Sequence, residues 1–244
     1  MNERFLNKLI NGDCYEVLPD IEDCSIDLIL TDPPYNTTNC GWECAIDIDG
    51  LFTHYKRIIK DNGTIVMFGN NPFTANVIVR NPDIYRYSCV WVKPNATTPH
   101  LARVQPMRRY EDIMVFYKKK NIYNPILSDG KRPYVWRSKR SGGEASGIVY
   151  KEDKEIVNTG QRFEFKQERG LHSTQKPVPL FEYIIQLYTN EGMVVLDTFM
   201  GSGTAPIACI NTNRVFIGIE KDNNIFSTAE KRVAERLNLL DKVE

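Results

Sequence analysis

DLILTDPPYN, residues 27–36, joins an apolar run, Leu28-Ile29-Leu30, to an acid, two prolines and a tyrosine. A short continuous apolar run bounded by turn residues reads as a strand buried on both faces of a parallel sheet. A plain turn after such a strand needs neither a carboxylate nor an aromatic ring. Asp32 falls just past the carboxyl end of the strand, where ligands of open α/β sheets bind.

The rest of the chain keeps that rhythm. Leu9-Ile10 precedes Gly12-Asp13, residues 50–60 place Leu51, Phe52, Tyr55, Ile58 and Ile59 on one side of a helix, and Asp61-Asn62-Gly63 breaks it. TIVMFG (64–69) is the next strand, and Pro72 opens a helix to about Arg80. RYSCVWVK (86–93) and DIMVFYKK (112–119) are β-rich. Residues 120–172 are rich in Gly, Ser, Lys and Arg, with strand-like YVWR and RFEFK, and read as a small insert. The α/β alternation returns with a helix over 177–189, a strand over 193–198, a helix from Thr204, a strand over 215–220 and a long final helix. The expected architecture is α/β and Rossmann-like, a largely parallel twisted sheet with helices on both faces. The domain reading is 1–119 and 172–244 as two halves of one domain, with 120–171 inserted between them.

A second strand end answers the first. VVLDTFMGSGT (194–204) carries a buried strand into Asp197, a Gly-x-Gly turn at Gly201 and Gly203, and a helix; such a turn lets backbone amides approach a polar ligand. The next strand ends at Glu220, followed by Lys221, and an acid there is the residue type that holds ribose hydroxyls in nucleotide-binding folds. A third glycine, expected for a dinucleotide cradle, is replaced by Pro206. If the strands ending at Asp32 and Asp197 are neighbours, the arrangement suits group transfer.

The 244 residues are 42% hydrophobic and 25% charged, with net charge zero, an ordinary globular composition. Charge is nonetheless segregated: residues 1–85 carry net −7, 86–176 net +10 and 177–244 net −3. A basic middle between acidic flanks suits a polyanionic partner; a solvated, lysine-rich loop is the alternative. No apolar run approaches a membrane span and no signal-peptide pattern is present, so a cytoplasmic protein is expected. Six cysteines at 14, 24, 40, 44, 89 and 209 lack zinc-site spacing and read as reduced thiols, with no metal.

On NGDCYEVLPDIEDCSIDLILTDPPYN (11–36), DNGTIVMFGN (61–70), VWVKPN (90–95), RRYEDIMVFYK (108–118), HSTQKP (172–177), VLDTFMGSGT (195–204) and FIGIEKD (216–222), the chain resembles the amino-group-directed DNA methyltransferases that use S-adenosylmethionine (SAM). It matches the permuted group in which the catalytic motif precedes the cofactor motif. The resemblance implies a sheet with one antiparallel strand and methyl transfer to the N6 amine of adenine in a specific sequence of double-stranded DNA, with the base flipped out. Relatives with Ser in place of Asp32 commonly methylate cytosine N4. The absence of a Pro-Cys dipeptide argues against C5 methylation, which needs a thiolate nucleophile.

The implied catalytic residues are Asp32, Pro33, Pro34 and Tyr35. Asp32 and the Pro33 carbonyl would accept the amine hydrogens, and Tyr35 would stack on the extruded base. For the cofactor the resemblance implies Asp13, Asp32, Thr174, Gln175, Lys176, Asp197, Phe199, Gly201, Ser202, Gly203, Thr204, Glu220 and Lys221. Glu220 would take the ribose, Asp13 the adenine amine, and Asp197 would act through water or the ammonium group; Lys176 would orient a carboxylate or cap the next helix. His172 reads as structural. Phosphate contacts are expected from Lys118, Lys119, Lys120, Lys131, Arg132, Arg137, Lys139 and Arg140. Trp42, in a stretch resembling the loop over the target base, could wedge there or pack on the domain. The small insert suggests a homodimer, and a cognate restriction endonuclease is a further expected partner. RNA or protein-amide methylation and a non-catalytic DNA-binding protein are the competing readings.

Overall fold

The computed structural model describes residues 3–35, 46–97, 102–126, 160–166 and 175–240. The chain divides into one large unit, 1–124 with 161–244, and a second, 125–160, almost all of which lies outside the described residues.

The large unit is built on an eight-stranded sheet: β1 (Lys8–Asn11), β2 (Ile26–Thr31), β3 (Ile59–Gly69), β4 (Tyr85–Thr97), β5 (Arg108–Phe116), β6 (Arg162–Glu164), β7 (Val194–Asp197) and β8 (Val215–Glu220), in the order β1-β8-β7-β2-β3-β5-β4-β6. Only β5 runs antiparallel to its neighbours β3 and β4; every other pairing is parallel. The expected single antiparallel strand is therefore present.

Among the described residues six α-helices flank it: α1 (Cys14–Val17), α2 (Ile48–Ile58), α3 (Phe73–Arg80), α4 (Val178–Tyr188), α5 (Thr204–Asn211) and α6 (Asn223–Leu240). Strand alternation sorts them onto two faces. Ile65 and Met67 of β3, Met114 and Phe116 of β5, and Ile217 and Ile219 of β8 share one core with Leu51, Phe52 and Tyr55 of α2 and Val77 of α3. Phe52 meets Phe116 edge-on at 5.2 Å on that side. On the opposite face Phe68 stacks on Phe181 of α4 at 5.5 Å.

The strands and helices after residue 177 follow the sequence reading within two residues. β3 does not. It begins at Ile59, ahead of the Asp61-Asn62-Gly63 break, because Ile59 already pairs with Ile26; the register then shifts before Leu28 meets Thr64. The helix breaker thus becomes a bulge inside a strand, where tertiary pairing outweighs local turn preference. Among the described residues no helix is long and apolar enough to cross a membrane, and Cys14, Cys24, Cys89 and Cys209 are free thiols. Cys40, Cys44 and the YVWR segment lie outside the described residues.

Candidate active site

β2 and β7 lie side by side and parallel, Leu28 opposite Val195 and Ile29 opposite Leu196. From β7 the sheet continues through β8 on one side, and from β2 through β3 on the other. This reversal of strand order opens a crevice beyond the carboxyl ends of the central strands. Asp32 leaves β2 and Asp197 closes β7 at that crevice. The two exits are tied by Thr31 and Thr198, whose hydroxyls share a buried hydrogen bond of 3.1 Å, and the Tyr55 hydroxyl joins Thr198 Oγ1 from α2.

The turn after β7 needs its glycines. Gly201 and Gly203 have φ of +53° and +85°, a left-handed backbone that side chains rarely adopt. A Cβ on Gly203 would press within 3.3 Å of Ala229 on α6, whereas over Gly201 there is open space. The Gly201 amide donates to Glu220 Oε2 at 3.1 Å, and the Asp222 amide to Oε1 at 2.8 Å. Each carboxylate oxygen keeps acceptor capacity toward the crevice. Burial raises the Glu220 pKa above its ordinary value and pushes Asp197 up to about 7, although the Phe199 amide donates to Asp197 Oδ1 at 3.1 Å.

Asp13 caps α1 by accepting from the Tyr15 amide at 3.0 Å and pairs with Lys221 Nζ at 2.8 Å. The Lys221 hydrogen bond is the main reason the Asp13 carboxyl sits below its usual range. Gly12 N–H donates to the Glu220 carbonyl at 3.0 Å, which holds the Asp13 turn against the tip of β8.

Asp32, half-buried, meets three buried charges, Lys176, Glu111 and Lys93. Lys176, just ahead of α4, donates to Asp32 Oδ2, and the Tyr35 hydroxyl donates to Asp32 Oδ1. Lys176 Nζ is also 3.2 Å from Glu111 Oε2 on β5, and Lys93 of β4 donates to Glu111 Oε1. The Lys176 ammonium sits 5.1 Å from the centre of the Phe68 ring. Burial raises the Asp32 pKa, and the neighbouring Lys176 opposes that rise. Burial acts the same way on Glu111, but there Lys176 and Lys93 outweigh it and hold the carboxyl down. Burial disfavours the Lys176 ammonium, yet the two carboxylates more than restore it, so its pKa is raised.

The structure thus brings together Asp32, Tyr35 and Lys176 in one cluster and Glu220, Gly201 and Asp13 in another. Pro33 is buried and Pro34 half-buried between Asp32 and Tyr35. Tyr35 packs against Phe73 at 5.3 Å. Ser202, Gly203 and Thr204 are buried; Arg232 of α6 donates to Ser202 Oγ at 2.9 Å, and Thr204 Oγ1 donates to the Lys176 carbonyl at 3.4 Å. Phe199 is half-buried against the core, and Gln175 directly precedes Lys176.

The basic residues are placed otherwise. Because β5 is antiparallel, Lys118 and Lys119 emerge at the other edge of the sheet, where they bind the Ile59 carbonyl at 2.9 Å and Asp61 at 2.6 Å; Lys120 follows, exposed. Trp42, Lys131, Arg132, Arg137, Lys139, Arg140, His172 and Thr174 lie outside the described residues. Sequence reasoning assigned no role to Glu111, Lys93, Thr31, Thr198 or Tyr55. Glu111 carried a signal: it occupies the strand face that continues as Ile113 and Val115, both buried, where a lone acid requires a buried partner. Among the described residues no cluster of His, Cys, Asp or Glu could hold a metal ion.

A sheet reversed at this crevice, with β5 as its single antiparallel strand, is the Rossmann-like fold of SAM-dependent methyltransferases. Residues 26–231 match the N6/N4 methyltransferase model, described as DNA methylase, and the chain belongs to that family. It is 28% identical to the Type II methyltransferase M.HpaI of Haemophilus parainfluenzae, over 97% of this chain and 77% of the relative. It is 29% identical to M.HinfI of Haemophilus influenzae, over 95% and 69%. The crystal structure of the M1.HpyAVI–SAM complex superposes with a TM-score of 0.64 at 26% identity, covering 93% of this chain and 98% of that one. The cytosine-N4-specific PvuII DNA methyltransferase shares the fold, with a TM-score of 0.65 at 14% identity over 95% and 91%.

Proposed function

We propose that the chain transfers a methyl group from SAM to the N6 amine of adenine in a specific sequence of duplex DNA, with the base turned out of the stack. The observation that carries this reading is the pairing of β2 with β7, which sets the Asp32 carboxylate beside the glycine turn.

The crevice fits the cofactor. Glu220 offers two part-free acceptors to ribose hydroxyls, the space over Gly201 admits a ligand close to the backbone, Asp197 suits an ammonium group and Asp13 an adenine amine. When bound, SAM supplies a methyl group already activated on a sulfonium.

An exocyclic amine is a poor nucleophile because its lone pair is delocalised into the ring. Asp32 accepts one amine hydrogen, which returns electron density to the nitrogen, and takes the released proton. The Pro33 carbonyl, held by two residues of restricted φ, accepts the other. Tyr35 provides a face for the extruded base. Positioning within the buried crevice supplies much of the remaining acceleration.

The insert, 120–171, reads DNA, with Lys120, Lys131, Arg132, Arg137, Lys139 and Arg140 on phosphates and Trp42 near the target base. Lys118 and Lys119 already hold partners at the far edge and are left out of that set. A homodimer would double the small reading surface, and sedimentation of the enzyme with and without DNA tests it, a monomer in both ending the idea. The Type II relatives support a restriction-modification role with a cognate endonuclease, in the cytoplasm where bacterial DNA lies.

The decisive experiment digests duplex DNA after incubation with labelled SAM and separates the nucleosides. Label in N6-methyladenine is expected; label in N4-methylcytosine would overturn the adenine assignment, and label only in RNA or protein would overturn the substrate class.

A further inference from the structure

We propose that Glu111 is a positioning residue whose Oε2 receives the Lys176 ammonium when the target amine displaces it from Asp32. The inference rests on Asp32 being the amine's acceptor, and it adds a movement of the protein that strengthens that acceptor.

At rest both Asp32 oxygens are engaged, Oδ2 by Lys176 and Oδ1 by Tyr35. A cation on the acceptor competes with the amine for the same oxygen and draws off the electron density that the amine hydrogens need. An ammonium drawn off Oδ2 leaves Asp32 the stronger acceptor, and it has little access to water: the Lys176 side chain is 7% exposed. Moving it into water would strand the buried Glu111 carboxylate and the half-buried Asp32.

A nearer seat exists. Glu111 Oε2 is buried and already pairs with Lys176 Nζ at 3.2 Å, a looser hold than the one on Asp32. The ammonium is thus already shared between the two acids, and a short swing shifts its hold from Asp32 to Glu111. Lys93 holds Oε1, so the Glu111 carboxylate stays oriented while its other oxygen takes up the ammonium. The Phe68 ring, backed by Phe181, offers a flat π-face beneath the ammonium and supports the swing. The cluster of two acids and two lysines stays neutral before and after, and Lys176 keeps its proton. The step exchanges one hydrogen bond for another and forms no covalent bond.

Charged groups face Asp32 from several elements: Lys176 ahead of α4, Glu111 on β5, Lys93 on β4 through Glu111, and Asp197 at the end of β7; Asp112 on β5 acts on Tyr35. Of these, Glu111 disfavours ionisation of Asp32.

The test is a double-mutant cycle with Glu111→Gln and Lys176→Gln, reading single-turnover methyl transfer at saturating SAM against pH, with SAM affinity measured alongside. Glu111→Gln should slow transfer about 10–100-fold and leave SAM affinity within about two-fold, because the ammonium keeps its hold on Asp32. Its acid limb should move to lower pH, since a carboxylate repelling the Asp32 charge is gone. In the Lys176→Gln background the same substitution should change the rate by less than about two-fold, because no ammonium needs the seat. An unimpaired rate, an equal penalty in both backgrounds, or loss of SAM binding by Glu111→Gln would each overturn the proposal. Asp32→Ala separates the two readings: if it stays active, the acceptor assignment fails. If it is dead while Glu111→Gln transfers at the full rate, only the seat fails.

Discussion

Strand β2 carries an aspartate–lysine pair near each end, and the two pairs are built differently. At the amino end, Asp27 takes Lys60 Nζ at 2.8 and 2.9 Å and the Val194 amide of β7 at 3.0 Å. Its lysine side chain is 39% exposed, so the charge stays hydrated while the carboxylate pins β2, β3 and β7 together. At the carboxyl end, half-buried Asp32 shares a 7%-exposed lysine with the buried Glu111, whose Oε2 holds it only loosely, at 3.2 Å. The amino-end pair is saturated and local to adjoining strands. The carboxyl-end pair reaches out of the strand ladder to the segment ahead of α4, and its lysine is shared between two acids. Saturation suits a staple, whereas a shared, loosely held cation suits a site that awaits a ligand.

The sharpest way to break this contrast is to exchange the consequences of the two acids. Asp32→Ala should reduce methyl transfer at least about 1,000-fold while SAM binding persists, because an acceptor used in the transition state is lost. Asp27→Ala should do the reverse: transfer per folded molecule is kept, but stability falls by about 2–4 kcal/mol, since the Val194 amide is left without its acceptor. Rate assays on purified variants and thermal melts check both. A stable but inactive Asp27→Ala, or an unfolded Asp32→Ala, would erase the distinction.

How legible each end was in the sequence follows from the same physics. Asp32, Asp197 and Glu220 stand out because each ends an apolar strand at its carboxyl end, with the Gly201 turn close behind Asp197, and order along the chain already places such residues on one edge of a parallel sheet. Asp27 looks no different: it too is an acid flanking an apolar run, and only the register of β2 against β7 reveals its bond to the Val194 amide. Lys93 closes a β-rich segment and Glu111 stands in RRYEDIMVFYK, but their meeting with Lys176 depends on β5 running antiparallel, which brings its amino end to the crevice. Strand direction is not written in periodicity. It also explains why Lys118 and Lys119, basic and next to the insert, emerge at the opposite edge from Asp32.

A smaller effect sharpens the comparison at the tip of β8. Glu220→Ala should weaken SAM binding about 10–100-fold, through loss of two acceptors for ribose hydroxyls and of the link that orders the Gly201 amide, with little change in the rate at saturation. Equilibrium binding and saturation kinetics separate the two. A variant that binds normally and transfers slowly would move Glu220 from the cofactor to the reacting end.

Asp197 gives the mildest test, because it changes only a protonation state. Burial pushes its pKa to about 7, so at acid pH the folded protein holds a proton that the unfolded chain releases at ordinary carboxylate values. The sign follows: the free enzyme loses stability as pH rises from about 4 to about 7, where the folded form is forced to ionise at the higher value. A ligand ammonium needs that ionised form, so SAM should bind about tenfold more weakly at pH 6 than at pH 7.5, with proton release on binding. Calorimetry in two buffers of different ionisation enthalpy measures both, and Asp197→Asn should flatten the dependence. The saturated acid at the other end predicts the control: Asp27→Asn should leave the pH dependence of SAM affinity as it is, because Asp27 lies at the opposite edge of the sheet. Should Asp27→Asn flatten it as Asp197→Asn does, SAM binding would be tracking the stability of the whole sheet and not the charge at its ligand-facing edge.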